Sequence, residues 1–236
     1  MKIGGLQKLT LIDYPNTLAC TVFLSGCNFR CPWCYSPELV SPALISHQPE
    51  IKESYFFDFL KTKKGLLDGV VICGGEPTIH EELPLFCSKI KNAGYKVKLD
   101  TNGSNPEMLE KLFKLKLVDY VAMDIKAPKE KYAKAIGFEG ATAYYLLDKI
   151  EKSIVLLKNG SIEYEFRTTV VPGLHTKEDV IQIANWIKPA PKYFLQQFRP
   201  QKTLNPEFEE RKPLEEKEMF QIKECIAPFF EISQNR

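Results

Sequence analysis

The chain has no stretch approaching the eighteen or so consecutive apolar residues that a membrane-spanning helix needs, which excludes a helical membrane protein. Its start, Met1-Lys2-Ile3-Gly4-Gly5-Leu6, lacks the apolar core and small-residue cleavage site of a secretory signal. An excess of one charge is also missing. Lys plus Arg total 32 against 30 for Asp plus Glu, a formal charge of +2, which argues against a dedicated nucleic-acid binder. Histidine is scarce: His47, His80 and His175 have no ligand-like neighbours in sequence and are expected at the surface. Seven cysteines are an odd number, and three of them fall within eight positions. A secreted disulfide scaffold is therefore disfavoured, and metal-binding thiols in a reducing cytoplasm are expected.

What is present is a rhythm of strands and helices. Apolar, β-branched runs predict strands at Leu18–Leu24, Val70–Cys73, Tyr95–Leu99, Tyr120–Met123, Tyr164–Val171 and Tyr193–Phe198, with a short last one at Phe229–Ile232. Segments of helical spacing lie between them. Thr78 with Glu81 reads as a capping box, and Asn105-Pro106 and Lys212-Pro213 put proline where a first helical turn tolerates it. Alternation of this kind implies βαβ units and a parallel sheet. Six units are too few for a complete eightfold barrel, so the expected fold is α/β, a partial, open (β/α)6 TIM-like barrel, with a doubly wound open sheet as the rival. The chain is read as a single domain, with residues 1–17 an N-terminal extension, 18–200 the barrel core and 201–236 a C-terminal helix and short strand. Either arrangement gathers ligand chemistry at the carboxyl ends of the strands.

The segment after the first predicted strand is Ser25-Gly26-Cys27-Asn28-Phe29-Arg30-Cys31-Pro32-Trp33-Cys34-Tyr35, a Cys-x3-Cys-x2-Cys spacing. Three thiolates on one tight loop can face a common centre, as iron–sulfur ligation requires. No fourth cysteine sits at a matching distance, which leaves one iron open to an exogenous ligand. The alternatives are a structural zinc site, which wants a second pair of ligands that is missing here, and thiols that merely pack. Cys20, Cys87 and Cys225 sit in apolar patterns as core residues, and Cys73 is read as structural.

Cys27-x3-Cys31-x-Trp33-Cys34 resembles the cluster motif of the radical S-adenosylmethionine superfamily. Gly5-Leu6-Gln7-Lys8, Asp13-Tyr14-Pro15 and the stretch from Phe23 to Leu39 are similar to its glycyl-radical-enzyme activating proteins, particularly those of anaerobic ribonucleoside-triphosphate reductase. Many relatives carry His-Asn where Tyr35-Ser36 stand here. The resemblance implies an oxidoreductase with one [4Fe-4S] cluster held by Cys27, Cys31 and Cys34, and with S-adenosylmethionine as cofactor. Cys73-Gly74-Gly75-Glu76-Pro77 resembles the segment that holds the methionyl amino group, with paired glycines for close backbone approach and a carboxylate for an ammonium. Asp100-Thr101-Asn102-Gly103 can equally be an Asx-turn or a helix cap. Similarity to the activating enzymes implies instead that Asp100, Thr101 and Asp124 surround a monovalent cation beside the cofactor carboxylate, with Lys126 at the same anionic end. Arg167 corresponds to an arginine that meets the cofactor, the other reading being a pair with Glu163 or Glu165. Gln197 belongs to an adenosine-side wall, and Trp33 and Asn102 join the cofactor contacts.

The implied reaction is reductive cleavage of S-adenosylmethionine and formation of a glycyl radical on a partner enzyme. The implied partners are that glycyl-radical enzyme and a flavodoxin- or ferredoxin-type electron donor, without nucleic acid or membrane. No cysteine lies between Cys34 and Cys73, and only Cys225 follows Cys87, so an inserted pair of ferredoxin-like clusters and a cysteine-rich auxiliary domain are both excluded. The alternatives are an activase of the pyruvate formate-lyase type, a small-molecule radical enzyme, and a non-catalytic iron–sulfur or zinc module.

Overall fold

A computed structural model describes residues 1–235; Arg236, the last residue of the expected C-terminal segment, lies outside the described residues. Among the described residues there are eight strands: β1 (Ile3–Thr10), β2 (Ala19–Leu24), β3 (Gly69–Gly74), β4 (Lys96–Thr101), β5 (Tyr120–Asp124), β6 (Glu163–Val170), β7 (Ala190–Gln197) and β8 (Phe230–Asn235). Six longer helices alternate with them: α1 (Glu53–Thr62), α2 (Leu83–Asn92), α3 (Pro106–Lys114), α4 (Gly140–Asn159), α5 (Lys177–Ile187) and α6 (Glu216–Ile226). The strands follow one another in the sheet in chain order. That sequence of neighbours belongs to barrel-type winding; a doubly wound sheet reverses direction at a switch point. The expected α/β class with parallel strands is what the chain has.

The chain divides into two compact units. The first comprises Met1–Asn28, Glu38–Thr101 and Asn105–Val121. Within it β2 pairs with β3 and β3 with β4 in parallel register, Phe23 opposite Cys73 and Val71 opposite Lys98. Ala19, Cys20, Val22, Leu24, Val70, Val71 and Ile72 have no exposed surface, the signature of strands covered on both faces. β1 runs antiparallel to β2, with irregularities of register at Ile3/Gly5 and Gln7/Thr10. It went unforeseen because its two glycines and three exposed residues give no alternation of apolar and polar. α3 starts as expected: Asn105 accepts a hydrogen bond from the Met108 amide, Pro106 opens the first turn, and Leu109 and Leu112 face inward.

The second unit comprises Phe29–Pro37, Asn102–Ser104 and the chain from Ala122 onward. Here β6, β7 and β8 are parallel, Arg167 opposite Phe194 and Ala190 opposite Phe230. α4 buries Ala143, Leu146, Ile150, Ile154 and Leu157, one stripe at helical spacing. α5 carries a capping box in which the Thr176 hydroxyl accepts from the Asp179 amide and the Asp179 carboxylate from the Thr176 amide.

Two expected starts are corrected. Thr78 does not open a helix: Glu76 caps a short 3-10 turn, Pro77–Ile79, and α2 begins at Leu83. Pro213 lies outside α6, whose N-cap is Glu215 with Glu218 as its reciprocal partner. In both cases a carboxylate takes the orphan amides in place of the residue that local pattern favoured. Among the described residues no helix is long and apolar enough to cross a membrane.

Candidate radical and cofactor site

In the first unit the carboxyl end of β2 leads to Cys27. The backbone before it is fixed on both sides: the Ser25 amide donates to the Lys2 carbonyl at 3.0 Å and the Gly26 amide to the Leu39 carbonyl at 2.7 Å. The end of β3 is packed against the same backbone. The Gly75 amide donates to the Leu24 carbonyl at 2.8 Å and the Glu76 amide to the Gly26 carbonyl at 2.7 Å. Gly74 has a φ of +126°, and a Cβ on Gly75 would lie 1.9 Å from the Gly26 carbonyl oxygen. Sequence reading assigned these glycines to close approach of a ligand; within this unit they permit close approach of two loops of the protein itself.

Glu76 is buried, and its Oε1 accepts three hydrogen bonds: from the Thr78 amide at 3.0 Å, the Thr78 hydroxyl at 2.5 Å and the Thr101 hydroxyl at 2.7 Å. A buried carboxylate supported in this way stays oriented. At the end of β4, Asp100 is ion-paired with Lys98, whose side chain has no exposed surface. Ser25 Oγ and His80 Nε2 are buried without a hydrogen-bond partner. His80 is half-buried, not a surface residue, and burial pushes its imidazole below the usual range. Sequence gave no sign of this, because the His80 ring approaches Gly26, which is remote along the chain.

In the second unit lie Cys31 and Cys34, joined by a turn in which the Cys34 amide donates to the Cys31 carbonyl at 3.0 Å. The loop after β7 holds this turn: the Asn205 amide donates to the Pro32 carbonyl and the Leu204 amide to that of Cys34. Tyr35, at the place of the relatives' histidine, accepts from the Arg199 amide at 2.9 Å and packs its ring 6.1 Å from Phe198. It therefore anchors the cysteine turn to the β7 end. Trp33 is buried edge-on against His175, ring centroids 6.2 Å apart.

His175 is buried, which corrects the surface expectation. Its Nδ1 accepts from the Val171 amide at 2.9 Å, so the proton sits on Nε2 and is donated to the Lys126 carbonyl at 2.9 Å. Burial lowers this imidazole to about 4, which keeps it neutral. Asp124, at the end of β5, receives Arg167 Nε on Oδ1 and Lys126 Nζ on Oδ2, each at 2.9 Å. Burial alone would raise the Asp124 carboxyl, but the two cations outweigh it and hold it at about 2. Arg167 thus pairs with Asp124, and Glu163 pairs with Lys192 at 3.4 Å. Asn102 Oδ1 accepts from the Ser104 amide at 2.9 Å, the Asx-turn that was the alternative for this segment. Gln197 Nε2 donates to the Leu214 carbonyl at 2.5 Å, while its Oε1 is buried with no hydrogen-bond partner.

Cys27 belongs to the first unit, Cys31 and Cys34 to the second, and among the described residues no three His, Cys, Asp or Glu side chains are gathered as a metal-holding set. The fit to a cluster rests on donor chemistry: three soft thiols in eight residues, and no disulfide among the described residues. Cys20 and Cys87 are wholly buried, and burial pushes each thiol up to about 12, so they are inert core residues. Cys73 and Cys225 are half-buried.

A family model described as the Radical SAM superfamily matches residues 21–187. A Methanocaldococcus jannaschii protein, provisionally named a glycyl-radical enzyme activating enzyme, is 34% identical over 97% of this chain and 93% of its own. The pyruvate formate-lyase-activating enzyme of Clostridium pasteurianum is 27% identical over 79% of this chain and 76% of its own. A solved radical SAM methyltransferase from Sphaerobacter thermophilus is similar in fold, with a TM-score of 0.67 at 12% identity over 97% of this chain and 68% of that one. The chain belongs to the radical SAM superfamily, whose enzymes use a [4Fe-4S] cluster and S-adenosylmethionine, and within it to the glycyl-radical-enzyme activating enzymes.

Proposed function

We propose that this protein is an activase that makes a glycyl radical on anaerobic ribonucleoside-triphosphate reductase, with Cys27, Cys31 and Cys34 as the ligands of one [4Fe-4S] cluster. The observation that carries the reading is the junction of the β2 and β3 ends. The Glu76 amide is bonded to the carbonyl of Gly26, one residue before Cys27, and the Glu76 carboxylate is held by three donors on one oxygen. A carboxylate that can take an ammonium is thereby set in place by the same backbone that sets the first thiol.

Held by Cys27, Cys31 and Cys34, the reduced cluster would supply one electron for cleavage of a sulfur–carbon bond of S-adenosylmethionine, the chemistry by which a Cα hydrogen would be removed from a glycine of the partner. The chain's own residues bind and orient. Glu76 offers its oriented carboxylate to the methionyl ammonium. The unpartnered Gln197 Oε1 offers an acceptor to the nucleoside. Trp33, packed on His175, excludes water from the cysteine turn. A glycine target suits this chemistry, since no side chain shields its Cα. A flavodoxin- or ferredoxin-type protein supplies the electron in the cytoplasm.

The test is anaerobic reconstitution with iron and sulfide, followed by dithionite and S-adenosylmethionine. We expect 5′-deoxyadenosine, lost when Cys27, Cys31 or Cys34 is changed to Ala. Mixing with anaerobic ribonucleotide reductase should give the electron paramagnetic resonance doublet of a main-chain glycyl radical. A doublet only with a pyruvate formate-lyase-type enzyme moves the assignment to that partner. Turnover of a small metabolite, with no doublet from any glycyl-radical enzyme, overturns it.

A further inference from the structure

We propose that the carboxylates which the family resemblance assigns to a monovalent metal cation are neutralised here by cations of the chain itself: Lys98 for Asp100, and Lys126 with Arg167 for Asp124. The protein then needs neither sodium nor potassium at these strand ends. The inference concerns the polypeptide and holds whichever partner receives the radical.

The first half lies within the first unit. Lys98 and Asp100 are two residues apart on β4 and share one face of the strand. The Lys98 side chain has no exposed surface, and its ammonium donates to Asp100 Oδ1. On its other side the ammonium lies 5.9 Å from the centroid of the Tyr120 ring, which is itself packed on Tyr14 at 5.9 Å. A fully buried lysine persists only with a charge partner and supporting contacts, and both are present. Thr101, the expected hydroxyl ligand, directs its proton to Glu76 Oε1.

The second half lies within the second unit. Each oxygen of Asp124 receives a different cation, Arg167 Nε on Oδ1 and Lys126 Nζ on Oδ2. One carboxylate therefore faces two positive charges. At an effective dielectric constant of about 20, a monovalent ion 4 Å from an ammonium is disfavoured on the order of 10³-fold relative to a site without it. Neither carboxylate is arranged to accept a further positive charge at that distance. The resemblance fits the residue types but not the charges that surround them. A local motif of Asp, Thr and Asp carries the ligands; whether they are already neutralised depends on positions 98, for Asp100, and 126 and 167, for Asp124, all outside that motif.

Thermal unfolding in sodium, potassium and choline chloride at equal ionic strength tests this without any cofactor. The wild-type midpoint should agree within about 1 °C in the three salts. The Lys98→Gln protein should unfold at lower temperature in choline and regain about 3 °C or more in sodium or potassium, because the buried charge of Asp100 then needs an ion from solution. A protein in which Lys98 serves only for packing would show no salt selectivity. Sodium-23 nuclear magnetic resonance of the wild type covers the case in which the variant does not fold: no line broadening that potassium displaces is expected. Selective stabilisation of the wild type by sodium or potassium, displaceable broadening, or a Lys98→Gln protein indifferent to the choice of salt would each overturn the proposal.

Discussion

Replacing Gly75 with alanine isolates the contact between the β3 end and the cysteine loop. The added methyl would stand 1.9 Å from the Gly26 carbonyl oxygen, 2.6 Å from its carbon and 3.2 Å from the Cys27 nitrogen. All three are backbone atoms, so no side chain can swing aside. Close carbon–oxygen contacts settle near about 3.3 Å, which requires a retreat of roughly 1.4 Å by one loop or the other. That movement breaks the 2.7 Å bond from the Glu76 amide to the Gly26 carbonyl. Losing the bond costs about 1 kcal/mol, stranding a buried amide about 1–3 kcal/mol more, and overpacking a similar amount. With partial relaxation, about 3 kcal/mol of stability should be lost. Urea unfolding of the iron-free protein measures this, and iron per chain after reconstitution reports whether Cys27 still reaches its place. Gly94→Ala is the control: Gly94 has a φ of +93° and nothing within 4 Å, so it should lose only about 1–2 kcal/mol from backbone strain and take up iron normally. If Gly75→Ala unfolds at the wild-type urea concentration and binds the wild-type amount of iron, the packing argument is wrong.

Two further outcomes follow from the site. His175 is neutral in the fold, its value lowered by burial to about 4 against about 6.5 in the unfolded chain, so its contribution is complete above pH 6.5 and is lost as pH falls from 6.5 to 4. Urea midpoints across that window should reveal a loss of about 3 kcal/mol, and His175→Gln should flatten the dependence; a wild-type curve no steeper than the variant's would exclude it. Glu76→Gln retains an oxygen for the Thr78 and Thr101 donors but removes the charge. Stability should change by less than about 1 kcal/mol while cleavage of S-adenosylmethionine falls about 10- to 100-fold, measured as 5′-deoxyadenosine per minute. Unaltered cleavage would remove Glu76 from the ammonium's partners.

The division between local and tertiary information can be read residue by residue. β2 and β3 were legible because strands covered on both faces are continuous apolar runs, and Asn105-Pro106 because a cap and a first-turn proline act within four residues. The spacing of Cys27, Cys31 and Cys34 was legible because it is written into eight consecutive positions. β1 was not, since its stability comes from pairing with β2, and its own residues, two glycines among them, carry little preference for a strand. Thr78 had a plausible partner in Glu81, yet Glu76 took its amide and hydroxyl, and a local pattern does not rank competing carboxylates.

The partners of charged groups were the least accessible. Arg167 meets Asp124 across 43 positions, and His175 bonds the Lys126 carbonyl across 49. By itself the amino-acid sequence determined the order of elements, the thiol spacing and the family, because each depends on neighbours along the chain. Only the tertiary structure decided which buried charges face one another, why Gly75 has to be glycine and which histidine is kept neutral. Burial and Coulomb energy depend on distance in space, which separation along the chain does not specify.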